Sequence, residues 1–384
     1  MKRMKALLLC GALVTAMLAG CGSSESKETS ENSGAGSGST ETSETADTSS
    51  ESGGGTENTS NIVVGFSTGA AGTTFRQEGI DDFTVVAEEY KAEGRIKDYK
   101  IVNNTTNFDS NEQAGIIRDF INDEEVNVIV VNPNSPTDLN GVLAEAVGAG
   151  KIVVAVDCEV DVEGVYCVSI DHYAWGKRVA EYIADALDGE GNVIQVYGGE
   201  GHPANNERLR ATEDVLAEYP NIKMISSTSG NWDNQTAKQV TSQILGGGTQ
   251  IDGVITQDSM GYGCLSAFDD LGVYPKAAFI ECGTANLKLY DEIVEKGVEI
   301  SICSQPNPAS IVASGLRIAV NLAEGKELDE SKLGGLYGRA CIYDVKNWFT
   351  NENLDELRAL LEGKGDDYLL TEYWTEEEAQ AFFK

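Results

Sequence analysis

The chain reads as an α/β protein of two doubly wound parallel-sheet lobes. Three observations predict this. Short, nearly continuous apolar runs such as 126–131 and 152–156 alternate with amphipathic helical segments from residue 62 to 324, as expected of strands covered on both faces. The units are too many for one sheet of ordinary size. The length of 384 residues, with 41% hydrophobic content, is enough for two cores.

The elements follow in order. Residues 62–67 form a β-rich run that empties into a glycine-containing loop. Ile80, Phe83, Val86, Ala87 and Tyr90 recur at helical spacing, which predicts a helix over 75–90. Residues 101–102 give a second strand. Asp109 and Ser110 can cap a helix to 121 whose buried face carries Ile116, Ile117 and Phe120. A third strand over 126–131 ends in Asn132-Pro133-Asn134, a helix spans 139–149, and strands follow at 152–156 and 165–170.

The second half repeats the pattern. Helices are predicted at 174–187, 206–218, 234–245, 261–271, 287–296 and 308–324, and strands at 193–197, 224–226, 253–256, 277–282 and 300–303. One lobe is assigned 61–169 plus 305–337. The other takes 170–304 plus 338–384, including a C-terminal extension with helices near 353–362 and 375–383. Crossings between lobes are expected near 168–171, 304–306 and 336–339. The extension carries Trp348, Phe349, Tyr373, Trp374, Phe382 and Phe383, so it should dock on the body.

The first sixty residues have a different composition. Lys2, Arg3 and Lys5 precede an apolar run over 6–20, shorter than the ~20 residues of a membrane-spanning helix. This is the pattern of an export signal. It ends in Leu18-Ala19-Gly20-Cys21, which resembles the lipobox of bacterial lipoproteins. The resemblance implies cleavage before Cys21, a diacylglycerol on its thiol, and a location on the outer face of the cell membrane. Residues 21–60 are almost all Ser, Thr, Gly, Glu and Asn, with no Ile, Leu, Val or aromatic residue. Such a stretch reads as a self-repelling tether.

The net charge of −34 disfavours nucleic acid and anionic membrane as partners. Cys158, Cys167, Cys264, Cys282, Cys303 and Cys341 form no CxxC pair and lie mostly in apolar stretches, so they read as buried thiols. With only His172 and His202 and no clustered cysteines, no structural zinc site is expected. No Gly-x-Ser-x-Gly or Gly-x-x-x-x-Gly-Lys-Ser/Thr motif occurs. No cofactor and no catalytic group are assigned.

In open α/β sheets ligands sit beyond the carboxyl ends of the strands. The residues there are Ser67, Thr74, Phe75 and Arg76, then Asn132 and Asp157, then Arg208, Trp232, Gln257 and Asp258, and finally Cys282 and Gln305. Amides, carboxylates and arginines match the donors and acceptors of hydroxyl groups, and Phe75 and Trp232 offer flat apolar faces to a sugar ring. Each has a simpler reading: Phe75 as core, Asp157 as a turn, Asp258 or Asp233 as a helix cap, Arg208 as a surface charge. Their joint placement favours a site.

The segment from about 61 to 328 resembles the ribose-type family of periplasmic sugar-binding proteins, the solute receptors of ABC importers. The likeness rests on Val64-Gly65-Phe66-Ser67 with Phe75, on Asp109 and Gln113, on Val130-Val131-Asn132-Pro133, and on residues 149–157. It continues through Val168-Ser169-Ile170-Asp171 with Gly176, Gly198-Gly199 with Arg208, Gly230-Asn231-Trp232-Asp233, residues 251–258 with Gly263, and Gln305-Pro306-Asn307-Pro308. It implies the two-lobed type I fold with its lobes joined by a three-segment hinge, a sugar ligand lined by Phe75, Asp157, Arg208, Trp232, Gln257 and Asp258, a membrane permease as partner, and a monomer. The family's Gly-x-Asp-Gly strand end is here Glu281-Cys282-Gly283-Thr284, so its carboxylate is missing or replaced by Cys282 with Glu281 beside it; Cys158 follows Asp157 where the family often has Arg. Two other readings stand beside this one: a receptor reporting to a membrane sensor, and a surface glycoside hydrolase.

Overall fold

The computed structural model describes residues 60–69, 73–103 and 109–384. The export segment, Cys21 and the tether up to residue 59 lie outside the described residues.

The first lobe is built on β1 (Val63–Thr68), β2 (Asp98–Ile101), β3 (Val128–Asn132), β4 (Ile152–Val156), β5 (Val165–Ile170) and β11 (Ala340–Tyr343). The sheet order is β2-β1-β3-β4-β5-β11, and every pairing is parallel. The second lobe holds β6 (Glu190–Tyr197), β7 (Asn221–Ser229), β8 (Gly253–Thr256), β9 (Ala277–Ile280), β10 (Ser301–Ser304) and β12 (Phe349–Thr350). Its order, β7-β6-β8-β9-β10-β12, repeats that of the first, with β12 antiparallel on the edge. The fold expected from the sequence is therefore present. Every residue of β1 and β3 is buried, as strands covered by helices on both faces require. The edge strand β7 is mostly half-buried or exposed, with polar Ser and Thr toward its end, and it runs well beyond the predicted 224–226.

Helices α1 (Thr74–Ala92), α2 (Ser110–Asn122), α3 (Asn140–Gly148), α9 (Ile311–Ala323) and α11 (Glu376–Gln380) belong to the first lobe. Helices α4 (His172–Ala186), α5 (Pro203–Leu216), α6 (Asn234–Leu245), α7 (Met260–Leu271), α8 (Thr284–Glu295) and α10 (Leu354–Leu361) belong to the second. Side-chain caps start several of them where the sequence placed an Asp: Asp109 accepts from Asn111 and Glu112, Asp171 from Ala174, and Asp233 from Thr236. For Asp233 the cap is the role the structure shows.

The crossings correct the boundaries expected for the C-terminal part. Residues 338–384 were assigned to the second lobe, but the segment divides. Ala340–Tyr343 pairs along β5 in the first sheet, because Ala340, Cys341 and Tyr343 are buried apolar residues that extend that sheet. The third passage therefore falls at 344–348 rather than 336–339. Phe349–Thr350, α10 and the stretch to Leu370 then join the second lobe, where Leu370 N donates to Cys282 O at 2.7 Å. The chain returns once more, between Leu370 and Glu372, which makes a fourth passage where the expected hinge had three. Glu372 exchanges hydrogen bonds with Ser310 Oγ, Trp374 N donates to Ser314 Oγ, and Phe383 bridges to Leu328, all in the first lobe. The extension thus docks on both lobes.

Candidate functional site

The two rims meet at the carboxyl ends of their sheets. On the first lobe Gln113, buried in α2, ties the ends of β1 and β3 together. Its Nε2 donates to Asn132 O at 2.9 Å and lies 3.5 Å from Ser67 Oγ, while its Oε1 accepts from Asn134 N. Asn132 Oδ1 is buried with no hydrogen-bond partner among the described residues. Arg76, in the first turn of α1, sits beside Phe75 and reaches Asp157 with Nη1–Oδ2 at 4.0 Å. Phe75 itself is half-buried, and Thr74 is exposed at the first position of α1, outside the buried cluster.

The second rim is more tightly connected. Arg208, on α5, is 1% exposed, which excludes the surface reading of its charge. Its Nη1 donates to both carboxylate oxygens of Asp258 at 3.0 Å, its Nη2 lies 3.2 Å from His172 Nδ1, and its guanidinium stacks 4.1 Å from the Trp175 ring. The close approach of α4 to α5 depends on Gly176, where a Cβ would come within 2.8 Å of Arg208 Cα. Trp232 Nε1 donates to Gln257 Oε1, and Gln257 Nε2 donates to Asn205 Oδ1. The Trp232 ring meets His202 edge-on at 5.0 Å and lies on Gly198, where a Cβ would fall 2.0 Å from it. The Gly198-Gly199 pair is there because an indole covers it.

Backbone strain concentrates here. Five non-glycine residues among those described have positive φ, and four of them are Asp157, Asn231, Trp232 and Asp258. Left-handed conformations of non-glycine residues cost about 1–3 kcal/mol each and persist where the surroundings enforce them, commonly at binding sites.

The rims act on one another electrically. Burial raises the Asp157 carboxyl, opposed by Arg76 and by Arg208 from the facing lobe. Burial, then Arg76 and Arg208, hold the His202 ring down at about 3, and burial with Arg208 keeps His172 well below its ordinary value. Both imidazoles are therefore neutral at pH 7. Asp258 is also pushed upward by burial, with the Arg208 charge and its two hydrogen bonds to that guanidinium opposing the shift. Two arginines face two carboxylates, so Arg76, Asp157, Arg208 and Asp258 sum to no net charge.

Three of the sequence-selected residues serve other roles. Cys282 is fully buried in the core of the second lobe, with its Sγ 2.9 Å from Ser304 Oγ. It does not take the place of a ligand carboxylate, because successive residues of an extended strand end face opposite ways and Cys282 follows Ile280 into the core. Gln305 is buried in the second crossing and donates to Trp175 O at 2.8 Å. Gln257 supports Trp232. His172, Trp175, His202, Asn205 and Glu281 join the cluster without having been selected for it.

A pocket of about 360 Å³ lies between the lobes beside Asp157, lined also by Glu159, Ser169, His172, Glu207 and Leu336. It does not include Arg208, Trp232 or Phe75. A larger hollow of about 510 Å³ lies between α8 and α10, away from both rims. The strained, polar strand ends, rather than either hollow, gather the donors, acceptors and rings that suit a hydroxylated ligand. All six described cysteines are buried free thiols. Among the described residues no helix is long and apolar enough to cross a membrane.

Residues 64–327 match the family model of the periplasmic binding protein domain, and the chain belongs to that family. It is 31% identical over 181 residues to the xylitol-binding protein of Mycolicibacterium smegmatis, covering 46% of this chain and 52% of that one. It is 26% identical over 203 residues to the D-allose-binding periplasmic protein of Escherichia coli, covering 50% and 64%. The chain thus spans between half and two-thirds of the length of these curated relatives. Among solved structures, an ABC transporter solute binding protein from Thermobispora bispora superposes with a TM-score of 0.71 at 24% identity, covering 83% of this chain and 94% of that one. That likeness supports the two-lobed fold.

Proposed function

We propose that this chain is the extracellular, lipid-anchored solute receptor of an ABC-type importer, and that its lobes close on an uncharged polyhydroxyl solute, a monosaccharide or a sugar alcohol. The observation that carries the reading is the charge-balanced cluster of Arg76, Asp157, Arg208 and Asp258 drawn from both rims, beside the Trp232 and Phe75 rings. A site with no net charge gives an ionic ligand no counter-charge, while its fixed donors and acceptors suit hydroxyls. The names of the relatives, xylitol- and D-allose-binding proteins, point to the same ligand class. Solute contacts to both rims favour the closed arrangement, and the population shifts by the solute's differential affinity for it. No covalent bond changes. The closed form then meets a permease in the membrane. The lipid anchor is inferred from Leu18-Ala19-Gly20-Cys21 and the tether that follows it.

The test is calorimetric titration with D-ribose, D-allose, D-fructose, xylitol and myo-inositol, with glucuronate and glucosamine as charged controls. A neutral member is expected to bind. Binding of a charged control alone, or silence from every neutral polyol, rejects the reading.

A further inference from the structure

We propose that His172 is a positioning residue: its ring spans the first passage between the lobes and holds Arg208 of one rim in register with the Asp157 turn of the other. The inference rests on the solute-receptor reading above and names the link that sets the spacing of that site's two rims.

The passage carries the chain from the end of β5 at Ile170, through the cap Asp171, to His172 as the first residue of α4. Its residues clamp the main chain of Asp157 at the end of the neighbouring strand. Asp157 N donates to Val168 O at 2.9 Å, and Asp157 O accepts from Ser169 Oγ at 3.2 Å. The His172 ring donates to the same carbonyl. Asp157 has a φ of 65°, a conformation that a non-glycine residue keeps where its surroundings impose it. These three bonds impose it. At the other edge of the ring, Nδ1 lies 3.2 Å from Arg208 Nη2.

The partners fix the tautomer. A guanidinium carries donors only, so Nδ1 is the bare acceptor. His172 is buried, and burial with the Arg208 charge keeps its ring uncharged. The proton therefore sits on Nε2, which lies 3.5 Å from Ser169 Oγ and turns toward the Asp157 carbonyl. A neutral imidazole accepts at one edge and donates at the other from one rigid plane. That is the chemistry needed between a guanidinium and a main-chain carbonyl.

The ring completes the restraint on Arg208. Asp258 holds Nη1 and Trp175 covers the guanidinium face, and both belong to the second lobe. Those contacts alone leave the fork free to turn with its own lobe. His172 holds Nη2 and refers it to a fixed point on the first lobe, the Asp157 carbonyl. Gly176, one turn further along α4, lets α5 come close enough for this contact. Arg208 and Asp157 thus share one rigid spacer at the passage where the lobes join.

The experiment compares wild type, His172→Asn and His172→Phe by titration with the same panel, alongside their melting temperatures without solute. His172→Asn keeps an acceptor for Arg208 and should hold affinity for the best solute within about fivefold. His172→Phe fills the space of the ring but makes neither bond, and should lose roughly 10- to 100-fold. A ring that only filled space would give the reverse order. Long-range proton–nitrogen NMR spectra at pH 7 should show a protonated Nε2 and a bare Nδ1. The chain has 2 histidines, so His202→Asn assigns the signals. This arm decides the matter if His172→Phe does not fold. Wild-type affinity in His172→Phe, a greater loss in His172→Asn than in His172→Phe, or a ring protonated on Nδ1 overturns the role of His172 and leaves the receptor reading intact. Silence of wild type toward every neutral solute overturns both.

Discussion

The two rims of the cleft share a topology and differ in how firmly their side chains are held. On the second lobe each of these side chains is fixed by another: Arg208 by Asp258, His172 and Trp175, and Trp232 by Gln257, which Asn205 holds in turn. On the first lobe Gln113 braces the backbone, and Asn132 Oδ1 has no hydrogen-bond partner among the described residues. Arg208 Nε and Asn205 Nδ2 on the second lobe are also without partners among the described residues, so both rims keep bonding capacity for a solute, but the second holds more of its side chains in place through their neighbours. Preorganised groups lose less freedom on binding, so affinity should concentrate on the second rim.

That contrast can be broken or sharpened by measurement. Arg208→Met strands Asp258 as a buried, unpaired carboxylate, and truncating one member of such a pair costs about 2–5 kcal/mol. Titration should show solute affinity reduced beyond the calorimetric range. Trp232→Ala removes the ring platform and should cost about 2 kcal/mol, typical of a buried aromatic anchor, with the melting temperature without solute little changed. Arg76→Met, on the first rim, should cost about 1 kcal/mol in the same assay. An equal loss at Arg76 and Arg208 would refute the asymmetry.

The smallest effect is with pH. His202 is held at about 3 in the folded form, against about 6.5 for a free ring. A histidine with a lowered folded value contributes its stabilisation above the free value and loses it as pH falls through the window from about 6.5 to 3. Arg76 of the facing lobe helps hold the ring neutral, so acidification should favour separated lobes. Between pH 7 and 5.5 solute affinity should fall by up to about tenfold, and His202→Asn should flatten the slope. An identical slope in the variant would place the titration elsewhere; His172, whose ring faces Arg208, is the next group to examine.

Much of this was legible in the sequence because local rules governed it. Buried parallel strands announce themselves as unbroken Val and Ile runs, and the Asp109 cap stands where its helix begins. The strand-end rule selected Asn132, Asp157, Arg208, Trp232 and Asp258, and topology alone places those positions at the rims of the two sheets. It failed where orientation mattered. Cys282 and Glu281 are neighbours, and a one-residue change of register exchanges the inward and outward faces of a strand. Trp175, His172 and His202 lie at the starts of α4 and α5, and their placement depends on how those helices pack. The path of residues 340–383 was hidden because its partners, Cys167, Cys282 and Ser314, are distant in the chain.

That path constrains how the molecule moves. Leu370 is bonded to Cys282 in one lobe and Glu372 to Ser310 in the other, with one residue between them. Two residues of extended chain reach at most about 7 Å. Glu372 also accepts from Lys346 N and Asn347 Nδ2, lashing this link to the neighbouring passage. The fulcrum is pinned at that point, so the jaws can yawn about it but can neither slide past one another nor part at the root.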